Sequence, residues 1–244
     1  MPDGFVLVLV LAALPTLGNF LGGVAAELFR ISARTLSLAL HLAAGIVLAV
    51  VGLEMMPQAL NAQTPWVPIA AFLVGGAVFI GLERAIAKIR RRVGGQEGGT
   101  GPLAIYSGVA IDLFSDGVMI GTGTLVDPRL GLLLALGQVP ADVPEGFAAV
   151  ATLRRAGTPR TSRLVMSSAF AVPILLGAAL GYFALRDAPE LATLSVLALT
   201  GGILTSVVVE EMISKAHEGQ TSRLDPVFLT GGFALFALVS VYLA

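Results

Sequence analysis

The sequence predicts an all-α integral membrane protein with eight transmembrane helices and both termini outside. Three observations carry that expectation. Apolar residues make up 56% of the 244 positions and charged residues only 13%, with a mean hydropathy of +0.88; a soluble domain usually carries about a quarter charged residues. The chain divides into eight apolar stretches, each near the roughly 20 residues that a helix needs to cross a bilayer. Thirteen of the fifteen lysines and arginines fall in alternate connections between those stretches, the asymmetry that marks the cytoplasmic side.

The first stretch, Phe5 to Leu28, follows Met1-Pro-Asp3-Gly, which lacks the basic leader of a secretory signal, and it continues past Leu14-Pro15. It reads as a retained span. Arg30 and Arg34 then precede the second stretch, Leu36 to Leu60, and the third runs from Val67 to Ala87. Arg84, Lys88, Arg90, Arg91 and Arg92 lead into a basic, glycine-rich cytoplasmic loop at about 88–101, with Gly94-Gly95 and Gly98-Gly99 as its flexible part. The fourth and fifth stretches, Leu103 to Val126 and Leu130 to Leu153, are joined by the short Asp127-Pro128-Arg129. Arg154, Arg155, Arg160 and Arg163 form the third inner connection, before Leu164 to Leu185. The seventh stretch, Leu191 to Ile213, is separated by Lys215 and Arg223 from the eighth, Pro226 to Leu243. Only Arg129 and Arg186 fall on outer connections. No connection is long enough for a second domain, so residues 1–244 read as one transmembrane domain.

Composition also excludes several classes of function. The absence of cysteine removes disulfides, thiolate metal sites and cysteine nucleophiles. A net charge of -1 and the lack of a basic groove with interleaved aromatics give no support for nucleic acid as a partner. No Gly-x-x-x-x-Gly-Lys phosphate loop is present. With 29 glycines against 7% aromatics, the helices are expected to pack through small residues.

Four carboxylates lie about midway along two of the stretches, in Asp112-Leu-Phe-Ser-Asp116-Gly117 and Asp142-Val-Pro-Glu145-Gly146. A charge at the bilayer centre costs at least about 2.5 kcal/mol on the most lenient scale, so four of them imply a shared cation, protons or water. Spacings of four and three residues set each pair on one helix face. Pro140 and Pro144 bracket Asp142, and each frees a backbone carbonyl one turn back. Oxygen clusters of this kind suit divalent cations.

These phrases resemble helices four and five of the ZIP (Zrt/Irt-like protein) family of divalent-metal transporters, which carry His-Asn-x-Pro-Glu-Gly and Gln-Asn-x-Pro-Glu-Gly. His41-Leu-Ala-Ala-Gly45-Ile-Val-Leu48, leading to Met56-Pro57, resembles the family's second helix, and Val209-Glu210-Glu211-Met-Ile213 resembles its seventh. The eight-helix, both-ends-outside topology with a basic loop after helix three also matches, giving a ZIP-like bundle. The resemblance implies a transporter, not an enzyme, that takes a zinc-, manganese- or iron-class ion toward the cytoplasm by alternating access. Its implied metal residues are Asp112, Asp116, Asp142 and Glu145, with Gln138 one turn from Asp142 as a substitute ligand and Glu210 and Glu211 as an exit site.

The chain also departs from the pattern. Asp112 stands where histidine is usual, Leu113 at the asparagine, Ser115 at the proline, Asp116 at the glutamate, Ala141 at the glutamine before Asp142, and Val47 at the second-helix methionine. Val172-Pro173 occupies the place of a bridging glutamate. These changes imply an oxygen-only site for one ion, with preference moved toward manganese or iron. The ion is cargo and no cofactor is implied. The expected surroundings are the lipid bilayer of a bacterial inner membrane, crossed several times, with a homodimer left open. Two other readings stand beside the transporter: a metal-binding sensor or scaffold of the same fold, and an intramembrane aspartyl protease. The protease lacks its Gly-x-Gly-Asp, since Ala110-Ile-Asp112 and Pro140-Ala-Asp142 stand there. Glu54, His41 and the pair His217-Glu218 have no assigned role.

Overall fold

The computed structural model describes residues 2–94, 102–217 and 222–243. Among them the chain forms eight long helical rods and no strand: α1 (Pro2–Leu28), α2 (Ala33–Leu60), α3 (Trp66–Gly94), α4 (Pro102–Val126), α5 (Pro128–Arg155), α6 (Arg160–Leu185), α7 (Glu190–His217) and α8 (Asp225–Leu243). Each corresponds to one expected stretch. Seven are long and apolar enough to cross a membrane. The remaining rod, α5, is lowered in apolarity by Gln138, Pro140, Asp142, Pro144 and Glu145, the residues that make it chemically interesting.

Local sequence explains the ends and irregularities. Ser32 caps α2 by accepting from the Thr35 amide at 3.1 Å, and Asp127 caps α5 by accepting from the Arg129 amide at 2.8 Å. The third stretch does not end near Ala87: α3 continues to Gly94 through the basic segment expected to open the loop. Lysine and arginine are good helix formers, so loss of apolarity there does not end the helix. Gly95, Gly98 and Gly99, and likewise Glu218, lie outside the described residues.

The sixth stretch begins earlier than expected, at Arg160, and its α6 rod is interrupted at Phe170. Pro173 has no N–H to offer the Ala169 carbonyl one turn back. The hydroxyl of Tyr106 on α4 donates to that carbonyl at 2.9 Å, and the Tyr106 ring stacks on Phe170 at 4.9 Å. Val50–Met55 in α2 and Val208–Ile213 in α7 are π-helical, the second containing Glu210 and Glu211. Such wide turns often sit at functional positions.

The rods pack in four close pairs, α1 with α5, α4 with α6, α3 with α7 and α2 with α8. Glycines seal each pair. A Cβ on Gly117 would stand 2.0 Å from the Ile174 carbonyl oxygen, and one on Gly177 2.1 Å from that of Phe114. Gly117/Gly121 facing Gly177/Gly181 is therefore a small-xxx-small contact in which backbones touch. Gly146 meets Asn19, Gly75 meets Leu199, and Gly232 meets Leu42 in the same way. In the pair Gly231-Gly232 only Gly232 faces the neighbour; Gly231 has open space where a Cβ would go. Gly117→Leu is expected to destabilise the bundle by about 1–3 kcal/mol, read as a lower unfolding temperature in detergent, whereas Gly231→Ala should leave it unchanged.

The interior is formed by α2, α4, α5 and α7, while α3 and α8 present most of their apolar surface outward. The main core joins Val47, Val50 and Met55 of α2, Met119 and Ile120 of α4, Leu133 and Leu134 of α5, and Leu197 and Leu204 of α7. On α4 and α5 this apolar mass occupies the half nearest their Asp127 connection, and the carboxylates begin where it ends.

Candidate metal centre

Adjacency of α4 and α5, expected from their three-residue connection, brings the four carboxylates into one group. Asp142 has Asp116, Glu145 and Asp112 as electrostatic neighbours, and Glu145 in turn has Asp112 and Asp116. Asp116 and Asp142 are deeply buried, at 2% and 1% exposure, while Asp112 and Glu145 are half-buried. The group thus has a sealed end and a more open end.

Gln138 sits at the sealed end, 2% exposed, and its amide nitrogen donates to Asp116 Oδ1. That bond turns Gln138 Oε1 elsewhere. Gln138 Oε1, Asp142 Oδ2 and Asp112 Oδ1 are all buried acceptors without a hydrogen-bond donor. Buried polar atoms are normally paired, and leaving one unpaired costs about 1–3 kcal/mol, more when it is charged. Three such oxygens among four carboxyls form a site able to take a hard or borderline divalent cation. α5 also runs through Pro140 and Pro144, so the carbonyls of Leu136 and Pro140 have no N–H one turn on.

At the open end, Asp112 and Ser115 form one wall of a pocket completed by Phe79 and Glu83 of α3 and by Ile203, Val207 and Glu211 of α7. Glu211 accepts from Lys215 Nζ at 2.8 Å, and Lys215 is also an electrostatic neighbour of Asp112 and Glu145. The two seventh-helix glutamates therefore separate. Glu211 shares the pocket with Asp112, whereas Glu210 is exposed on another side of α7. Glu54 lies elsewhere, accepting from Ser240 Oγ of α8.

Three participants were not singled out from the sequence. Glu83 lines the pocket, Lys215 neutralises Glu211, and Asn19 of α1 is fully buried with both amide atoms unpaired, its backbone against Gly146. An asparagine within the first apolar stretch was the available signal for the last of these.

No curated protein matches the chain. The model of the ZIP zinc transporter family matches residues 90–240, a segment that contains all four carboxylates, Gln138, Glu210 and Glu211. That segment is more than half of the 244 residues and folds into rods apolar enough to span a membrane several times, so the chain belongs to the ZIP zinc transporter family, a family of metal transporters.

Proposed function

We propose that this protein carries a divalent transition metal toward the cytoplasm by alternating access, binding one ion at mid-membrane through Asp112, Asp116, Asp142 and Glu145, with the Gln138 amide oxygen beside them. The observation that carries the reading is the trio of unpaired buried oxygens, Asp112 Oδ1, Gln138 Oε1 and Asp142 Oδ2, inside a four-carboxyl group. A purely structural network of buried acids would pair those atoms among themselves.

In this reading the whole chain is one transport domain in a bacterial inner membrane. All eight rods cross, α5 being sheltered by α1, α2 and α4, and both termini lie outside. The distribution of basic residues supports that orientation. It sets the apolar core of Met119, Ile120, Leu134 and Leu197 on the outer side of the carboxylates and the Asp112–Glu211 pocket on the inner side. The packing is then that of an inward-facing form, closed above the site and open below it. An ion leaving the site passes Asp112 and Glu145 to Glu211, with Glu83 and the exposed Glu210 near the exit. Lys215 competes for the Glu211 carboxylate and keeps the exit from holding the ion too firmly.

A centre built from carboxylate and amide oxygens, without imidazole or thioether, favours manganese or ferrous iron over zinc more than a histidine-bearing site does. Purified protein in liposomes, given manganese, iron, zinc and cadmium in turn, tests both parts. Saturable uptake with manganese the stronger competitor is the expected result. Binding without flux would replace the carrier with a sensor of the same fold; competition by zinc equal to that by manganese would overturn the metal preference alone.

A further inference from the structure

We propose that His41, His217 and Asp225 form a second metal site, at the end of the bundle where Glu211 and Lys215 lie, for a borderline ion of the zinc type. The chain has two histidines. The fold brings both to one place, from the first turns of α2 and the last residue of α7, beside Asp225 at the first residue of α8. One ligand atom from each lies within 4.8 Å of the others.

The two buried members are already oriented. His41 is 3% exposed, and its Nδ1 donates to the Ser37 carbonyl at 2.9 Å. That bond fixes the proton on Nδ1 and leaves Nε2 with a free lone pair, the arrangement that typically supports a metal-binding imidazole. Asp225 is 6% exposed; its Oδ2 accepts from the Ser222 amide at 2.7 Å. Its Oδ1 is buried with no hydrogen-bond partner, 3.9 Å from His41 Nδ1. His217 is exposed and stands edge-on to His41, with ring centroids 5.2 Å apart. Bonds of about 2.0–2.1 Å in a tetrahedral zinc site put ligand atoms about 3.4 Å apart, so three atoms within 4.8 Å of one another need only draw together by up to about 1.4 Å to enclose an ion, leaving the fourth position for water.

A simple His41–Asp225 ion pair at the start of α8 accounts for those two residues. It does not account for the chain's other histidine lying edge-on against them. Two imidazoles and one carboxylate select zinc, cobalt or nickel over manganese, the reverse of the mid-membrane centre. A bound ion ties together the ends of α2, α7 and α8.

The assignment does not depend on transport, and its test does not read flux. Full-length protein in detergent carrying Asp142→Asn and Glu145→Gln, which disable the mid-membrane centre, is titrated with cobalt and then zinc. Tetrahedral cobalt absorption that zinc displaces is expected, together with a zinc-dependent rise in unfolding temperature. Adding His217→Ala, a surface change that should not alter metal-free stability, is expected to weaken binding at least about tenfold and abolish the rise. His41→Gln should do the same. Equal affinity and an equal zinc effect with and without His217→Ala would overturn the site, as would failure of the starting variant to bind.

Discussion

Asp142→Asn is expected to reduce metal uptake into liposomes by at least about 100-fold, to the level of empty vesicles. Asparagine keeps the volume and one oxygen of aspartate, so the helix contacts of α5 remain and the change is confined to charge. At 1% exposure Asp142 has no solvent to replace what is lost. Its Oδ2 is one of the three oxygens without a donor, and in the variant that position becomes either a neutral oxygen or an N–H₂ pointing at the cation. Removing even a group that only supports a metal ligand typically costs 10–100-fold in affinity, and Asp142 is proposed as a ligand itself. Asp187→Asn supplies the control, because that carboxylate is 87% exposed in a connection and among the described residues pairs with Arg186; its flux should equal the parent's. Uptake by Asp142→Asn within twofold of the parent would remove Asp142 from the ion's path.

How far such a site can be read from sequence depends on the range of the interaction. Asp112 and Asp116, four residues apart, and Asp142 and Glu145, three apart, had to share helix faces whatever the tertiary fold, and a three-residue connection had to set α4 beside α5. Packing through small residues was legible from the glycine content, and the close approaches at Gly117 and Gly146 are instances of it. The partition of Glu210 from Glu211 was not: adjacent helical residues point about 100° apart, so only one can enter a pocket, and the choice is made by the π-helical turn and the packing of α7 on α3 and α4. Gln138 was placed near Asp142 by spacing, yet its hydrogen bond goes to Asp116 across the helix interface. The convergence of His41, His217 and Asp225 required three helix ends to meet, which no local pattern encodes. Hydropathy also misjudged polar residues at the rod ends: α3 persists to Gly94, and Arg163, expected in the third inner connection, lies within α6 and is buried.

That arginine carries the other large expected effect. Glu27→Ala is expected to lower stability by about 3 kcal/mol while leaving uptake per folded molecule unchanged. Glu27, at the end of α1, receives Arg163 Nε at 2.5 Å and Arg163 Nη2 at 2.8 Å, a two-pronged pair with side chains only 5% and 11% exposed. Arg163 also donates through Nη1 to the Thr158 carbonyl, and Arg154 donates to the Ala26 carbonyl at 2.7 Å. Arg160 lies 3.7 Å from the same glutamate. Deleting Glu27 therefore leaves a buried guanidinium without its counter-charge and three cations without the anion between them, and a broken buried pair costs far more than an absent one. The double variant Glu27→Leu with Arg163→Leu should recover much of the loss, because neither charge then remains to be solvated. Because the pair ties α1 to α6 at the far end of α5 from its Asp127 cap, well away from Asp116 and Asp142, its removal should reduce the yield of folded protein without changing the affinity of the mid-membrane centre. A Glu27→Ala protein as stable as the parent would make the pair an exposed contact of little energy; a fall in metal affinity along with stability would mean that the α1–α6 clamp sets the geometry of the carboxylates on α5.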